Sequence, residues 1–184
     1  YRNTIEISHF ATDILHHGQL MSYPVEPIIR HGDPVKVLLF QEGDALWQAV
    51  VRQCRAWQEK ALPTIAVICR DQAGADRTAA ELGKRIEIME TDPEKAEFGN
   101  GIMVLPVEYT KGLEFDAVLI LNPTREEYPV DDGHAKLLYV AATRALHELC
   151  VLHTGNLTGL IADPLPEAVE KKQPPNAFQR NESP

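Results

Sequence analysis

The sequence predicts a three-layered α/β fold, in which helices cover both faces of a mostly parallel sheet. Strand-length runs of Val, Ile and Leu recur along the chain, and amphipathic helical patterns separate them. These apolar runs are unbroken rather than alternating, as in strands that are buried on both faces. We expect residues 1–162 to form one domain. The tail 163–184 holds five of the 13 prolines, and we expect it to be disordered or dependent on a partner.

The first half of the chain alternates helical and strand patterns. An apolar stripe predicts a first helix, which Asn3 or Thr4 can cap and which ends near residues 16–18. A proline-containing connector, 19–34, follows it, and Asp44 is the expected cap of the second helix. The elements predicted after the connector are strand 35–40, helix 44–60, strand 64–69, helix 72–84 and strand 86–89.

The second half continues the alternation, and we find no internal repeat in the sequence. Its predicted elements are strand 101–107, strand 117–121, a polar loop 122–134, helix 136–146, strand 149–153 and a turn within 155–162.

Composition limits the classes of function. Lys+Arg 18 against Asp+Glu 27 gives a net charge of −9, which argues against a domain that grips nucleic acid electrostatically by itself. One wall of a nucleic-acid cleft is still compatible with this charge.

The three cysteines are odd in number and have no CxxC spacing, which indicates a reducing, cytoplasmic compartment. No apolar run is long enough for a membrane span or signal peptide, and a chain that starts with Tyr1 suggests an excised fragment.

A polar loop stands directly before the buried strand 117–121. Its glycine, Gly112, lets the backbone approach a ligand closely. Lys111 can meet an anion, and Glu114 can accept hydrogen bonds from sugar hydroxyls. The alternative is a surface loop whose Lys and Glu are merely solvated.

The helix 136–146 carries an arginine on its apolar side. At about 3.6 residues per turn, Arg144 falls between Val140 and Leu137 within a broad apolar arc. A guanidinium there needs an anionic partner or a route to water, because an unpaired buried charge is costly. The alternatives are an Arg that reaches solvent at the helix end or one that pairs with a core carboxylate.

Other candidate sites are weaker, and we predict no metal site. The seven histidines have no metal-ligand spacing, and His16–His17 has the position of a helix end. The acidic residues within 126–132 are compatible with a cation site, although a solvated loop explains them as well.

Four segments resemble motifs of the UvrD/Rep group of superfamily-one DNA helicases. Residues 137–149, LLYVAATRALHEL, are similar to motif VI, and residues 110–116, TKGLEFD, are similar to motif V. Residues 1–4, YRNT, resemble the end of motif IV, and residues 65–70, IAVICR, resemble the segment after it. Their order and spacing are those of the second RecA-like motor domain of this family.

The resemblance implies an ATP site shared between two domains. ATP and Mg²⁺ would be bound mainly by a first RecA-like domain, whose P-loop pattern GxxxxGK[ST] does not occur in this sequence. Arg144 and Arg2 would act as arginine fingers on the γ-phosphate. Tyr1 would stack on the adenine and Glu114 would bind the ribose, while Lys111 and Gly112 would line the phosphate side of the cleft.

The sequence departs from the group at two points. Motif V usually has a His three residues before its Lys, where it touches single-stranded DNA; Glu108 takes that position here, and a carboxylate repels a phosphate backbone. About 105 residues separate Thr4 from Thr110, too few for the large accessory subdomain of UvrD and Rep. Both departures favour the helicase-IV/HelD-like branch.

The resemblance therefore implies an ATP-dependent DNA helicase or translocase, with single-stranded DNA and the P-loop domain as partners. The isolated chain is expected to be inactive. A second interpretation is a HelD-like factor that acts on RNA polymerase and uses ATP to remodel or recycle transcription complexes. A third is a degenerate domain that is kept only for interaction, which the intact Arg144 and Glu114 disfavour.

Overall fold

The computed structural model describes residues 3–22, 29–89 and 99–161, and the predicted tail 163–184 lies outside them. Within these ranges the chain forms a five-stranded, entirely parallel sheet in the order β1-β5-β4-β2-β3. The elements are α1 (Ile5–His17), β1 (Lys36–Leu39), α2 (Asp44–Glu59), β2 (Thr64–Cys69), α3 (Gln72–Gly83), β3 (Gly101–Pro106), a 3-10 helix (Val107–Thr110), β4 (Phe115–Leu121), α4 (Asp132–Thr143) and β5 (Ala145–His153). The predicted fold class is confirmed.

Helices cover both faces of the sheet. Alternate residues of β2 point to opposite sides, so that Ile68 joins the core under α1 and α4, and Val67 joins the core under α2 and α3. The central strands β2 and β4 are buried on both faces. This double burial explains why their sequences are unbroken apolar runs.

The predicted strand 86–89 is wrong. Residues 86–89 form no strand, and a hydrogen bond in which the Met89 amide donates to the Ile102 carbonyl over 2.8 Å links their backbone to β3. Ile88 packs against the core under α2 and α3. The apolar residues of the segment 86–89 therefore reflect side-chain packing and not membership in the sheet.

The last helix lies earlier in the chain than predicted, and the last strand starts earlier but ends at His153 as predicted. Helix α4 begins at Asp132, because the Asp131 side chain caps it by accepting a hydrogen bond from the His134 amide. It ends at Thr143, and β5 starts at Ala145 with no loop between them. In helix α2 the cap position is taken by Gly43, and Asp44, the predicted cap, lies in the first turn.

Helix α1 is fixed at its first turn, where Thr4 is the cap, as one of the two predicted alternatives. Glu6 accepts hydrogen bonds from His31 Nδ1 over 2.9 Å and from the Gly32 amide over 2.8 Å. These two bonds, first that of His31 and then that of Gly32, lower the pKa of Glu6 from 4.5 to about 2. The carboxylate thus anchors the turn at residues 31–32 to the helix.

A depressed pKa makes this anchor pH-dependent. Its contribution to stability is present above the unfolded pKa of 4.5 and is lost as the pH falls through about 2. We expect Glu6→Gln to lower the urea midpoint at pH 7, and we expect its difference from the parent chain to shrink as the pH falls from 5 to 2. A difference that stays constant across this range would contradict the assignment.

Candidate functional site

The loop between the 3-10 helix and β4 presents its polar side chains to solvent. Thr110 is buried, and its hydroxyl donates to the Val107 carbonyl over 2.7 Å. The Leu113 amide donates to the Thr110 carbonyl over 3.0 Å and closes the loop. Lys111, Gly112 and Glu114 are consequently exposed at the amino end of β4.

Gly112 is required by its backbone conformation. Its φ of +82° lies in the left-handed region, and a Cβ built there would meet no atom within 4 Å. Space is therefore available, but an L side chain would strain the turn. The predicted close approach of a ligand to this glycine stays a prediction.

Arg144 joins the end of α4 directly to this loop. Its guanidinium donates from Nη1 to the Leu113 carbonyl over 3.0 Å and from Nε to the Val140 carbonyl over 3.1 Å. The backbone adds a further link, because the Phe115 amide donates to the Arg144 carbonyl over 2.9 Å. Glu114 lies between these two points of attachment. The two segments that resemble separate motifs therefore meet at this point of the fold.

The charge of Arg144 has no compensating carboxylate among the residues that the structure describes. The guanidinium is half-buried, and its three recorded partners, which include Thr143 Oγ1 at 3.4 Å, are all neutral oxygens. An arginine has five N–H donors, so two remain for an incoming group. The predicted alternative of a core carboxylate partner is wrong within the described ranges.

The buried arc of α4 is narrower than the helical projection predicts. Its fully buried residues are Ala135, Leu138, Ala141 and Ala142. Leu137 and Val140, the two predicted neighbours of Arg144, are only half-buried. Arg144 itself is the C-cap residue, one position beyond the last helical residue. It therefore stands at the margin of the core.

Two predicted site residues, Tyr1 and Arg2, lie outside the described residues. Asn3, which follows them, is buried, and its Nδ2 donates to the carbonyls of Thr143 and Ala145. Lys111 and Glu114 have no side-chain hydrogen bond or ion pair to any residue in the described ranges, so their assignment as ligand contacts stays a prediction.

A second polar surface lies at the opposite edge of the sheet. Arg70 follows β2, and its Nε donates to the Glu127 carbonyl over 3.2 Å while its guanidinium lies 5.8 Å from the centre of the Tyr128 ring. Its Nη1 is 3.8 Å from Glu108 Oε1. Arg70 borders an open cleft of about 450 Å³ at the carboxyl ends of β2 and β4. The predictions from the sequence give Arg70 no role, although its place directly after a buried strand is a usable signal for a surface of this kind.

Neither a metal centre nor a membrane segment is found in the described part of the chain. No group of three or more His, Cys, Asp or Glu side chains there is placed to hold a metal ion. Within the acidic stretch 126–132, Asp131 caps α4. None of the described helices is long and apolar enough to cross a membrane.

Comparisons with known proteins point to one family. Residues 101–152, which contain β3, the polar loop, β4, α4 and most of β5, match the model for the UvrD-like helicase C-terminal domain. The fold is also similar to the crystal structure of the C-terminal domain of a possible DNA helicase from Lactobacillus plantarum WCFS1. The TM-score is 0.71 at 30% identity, over 88% of this chain and 92% of that one. No curated protein matches the sequence.

Proposed function

Since the chain belongs to the family of UvrD-like helicase C-terminal domains, we propose that it is the second RecA-like half of an ATP-driven DNA motor. ATP with Mg²⁺ is bound mainly by a P-loop domain, and this chain closes over the phosphates from the other side of the cleft. Hydrolysis then opens and closes the cleft and moves the motor along a single strand.

The observation that carries this proposal is the state of Arg144. Its guanidinium is fixed by two backbone carbonyls, lies at the margin of the core and has no carboxylate partner in the described ranges. A cation that is already oriented can stabilise charge as it develops on a transferring phosphoryl group, with no reorganisation during the reaction. Arg144 is therefore the proposed arginine finger.

The neighbouring residues suit the other parts of a nucleotide. Glu114 is exposed between two attachments to Arg144, where its carboxylate can accept hydrogen bonds from ribose hydroxyls. Lys111 and Gly112 line the phosphate side. Arg2 is the proposed second finger and Tyr1 the proposed adenine platform, and both rest on the motif resemblance alone.

The test is the ATPase activity of the full-length protein with and without single-stranded DNA, in steady-state and single-turnover experiments. We expect strong stimulation by DNA and no turnover by the isolated 184-residue chain. Turnover that is indifferent to DNA would contradict the DNA motor and direct attention to a protein partner.

One observation favours a second function, that of a HelD-like ATPase that remodels or recycles RNA polymerase complexes. Glu108 is 64% exposed and faces Arg70, so it places a negative charge beside a cation that could otherwise meet a phosphate. The net charge of −9 acts in the same direction. Capture of RNA polymerase by the full-length protein, together with weak and salt-sensitive DNA binding, would support this function. Strand separation without polymerase would count against it.

A further inference from the structure

The end of α4 is held by a side chain from the opposite end of the sequence. Asn3 is only 8% exposed, and its Nδ2 donates to the Thr143 carbonyl over 3.0 Å and to the Ala145 carbonyl over 2.5 Å. These two carbonyls flank Arg144 on either side. One amide group therefore clamps the backbone on both sides of the proposed arginine finger.

The two hydrogen bonds from Asn3 lie at the end of a helix, where backbone carbonyls require partners. The last carbonyls of a helix lack partners within the helix, and leaving them buried and unpaired costs free energy. Here no glycine ends the helix: Arg144 keeps helical angles of φ −72° and ψ −18°, and β5 starts at the next residue. The junction has no loop to adjust, so its geometry depends on the groups that bind its carbonyls. Asn3 binds two of them, and the Phe115 amide binds the carbonyl of Arg144.

Asn3 is itself held in place. The next residue, Thr4, caps α1 by accepting a hydrogen bond from the Ile7 amide over 3.3 Å. Ile7 and Ile14 of α1 lie in the same core cluster as Leu138 of α4. The amide thus projects from a capped and packed helix, and it can fix the Arg144 junction relative to the rest of the domain.

We infer that Asn3 is a positioning residue, which sets the direction in which the Arg144 guanidinium leaves the end of α4. The inference rests on the proposed function, because it concerns the same arginine. Asn3 does not touch the nucleotide. It acts on turnover through the carbonyls of Thr143 and Ala145. Its replacement therefore lowers the stabilisation of the transition state more than it weakens the binding of ATP.

The test uses Asn3→Asp in the full-length protein, since aspartate has nearly the same shape but faces both carbonyls with acceptor oxygens. We expect a kcat about 10–100-fold lower, because small misplacements of a catalytic group have effects of this size, and a KM for ATP changed by no more than about threefold. Asn3→Ala removes the donors without adding charge and is the milder variant, with a smaller loss in the same direction.

The matched control is Thr158→Val, which also removes two buried hydrogen bonds, those to the Tyr128 carbonyl and from the Leu160 amide. Thr158 follows the last strand and is remote in sequence from the Arg144 junction, so Thr158→Val should lower stability but leave kcat unchanged. A kcat that falls equally in the control and in Asn3→Asp would reduce Asn3 to a general structural role and overturn the inference.

A double-mutant cycle separates this inference from the proposed function. If Asn3 acts through Arg144, Asn3→Asp should have almost no further effect on kcat once Arg144→Ala is present. Should Arg144→Ala lower turnover while Asn3→Asp does not, only the positioning role fails. Should Arg144→Ala leave turnover unchanged, the proposed function fails first.

A direct readout is available in the 184-residue chain without nucleotide. Arg144 Nε–H donates to the Val140 carbonyl, and NMR hydrogen exchange at Nε reports on that bond. We expect faster exchange in Asn3→Asp and no change in Thr158→Val. Unchanged exchange in both variants would contradict the clamp.

Discussion

Replacement of Arg144 by Ala in the full-length protein is expected to lower ATP turnover by about 10³-fold or more while nucleotide binding stays largely intact. Among the residues that the structure describes, the guanidinium has only neutral partners, so in the proposed function its charge can act on the phosphates. Because a finger acts mainly on charge that develops in the transition state, its loss lowers kcat more than it raises KM. Steady-state ATPase assays and fluorescent nucleotide binding measure the two effects separately.

Two further variants sharpen this result. Arg144→Lys keeps the charge but loses the planar fork that binds both carbonyls, and an intermediate turnover is expected. Arg52→Ala removes an exposed arginine from α2, on the other face of the sheet, and should leave turnover unchanged. Near-normal turnover of Arg144→Ala would remove Arg144 from the catalytic role.

The largest expected effect on folding is that of Trp57→Ala, at about 3–5 kcal/mol of unfolding free energy. Trp57 is 1% exposed in the core under α2, and its indole N–H donates to Glu148 over 2.5 Å. Truncation leaves a cavity, and Glu148 Oε2 loses its indole donor. The loss is a large fraction of the 5–15 kcal/mol that is typical of a folded domain.

The same helix offers a matched control in Trp47, which is only partly buried. Trp47→Ala should cost clearly less, since less apolar surface returns to water on unfolding. Urea unfolding of the 184-residue chain, followed by circular dichroism, gives both values from the transition midpoints. Equal shifts for the two variants would show that the burial of Trp57 does not govern the stability of this core.

The fold class could be predicted because the strongest sequence signals come from doubly buried strands such as β2 and β4, which no solvent-facing alternation interrupts. The ends of α4 could not be predicted from the sequence. Its start depends on a local cap at Asp131, whereas its end is set by the pairing of β5 with β4, which overrides helix propensity at residues 145–146. The prediction of strand 86–89 is wrong because apolar residues two apart also suit a segment outside the sheet whose side chains pack on the core, as Ile86 and Ile88 do.

The site could be predicted in part. Arg144 and Glu114 can be predicted from the motifs that contain them. The contact between the two segments cannot, because Arg144 bonds the backbone carbonyl of Leu113, and a backbone contact does not depend on the type of residue. The sequence predicts Asn3 as a possible helix cap and as part of the segment that resembles motif IV, and neither prediction contains its contact with the end of α4. Its bonds reach residues 140 and 142 positions away, and a contact of that range is invisible to any local pattern.

The segment 107–114 connects the two edges of the sheet, and this has a mechanical consequence. It leaves β3 at the carboxyl edge of the sheet, where Glu108 faces Arg70. It reaches β4 at the amino edge, where the Leu113 carbonyl accepts a hydrogen bond from Arg144. Thr110, in the middle of the segment, is buried. The segment is short and has a polar contact near each end, so we expect a displacement at one end to be passed on to the other. A displacement of Glu108 is therefore expected either to shift the Leu113 carbonyl or to break its hydrogen bond to Arg144. Movement at the carboxyl edge of the sheet would then change the direction of the Arg144 guanidinium at the amino edge.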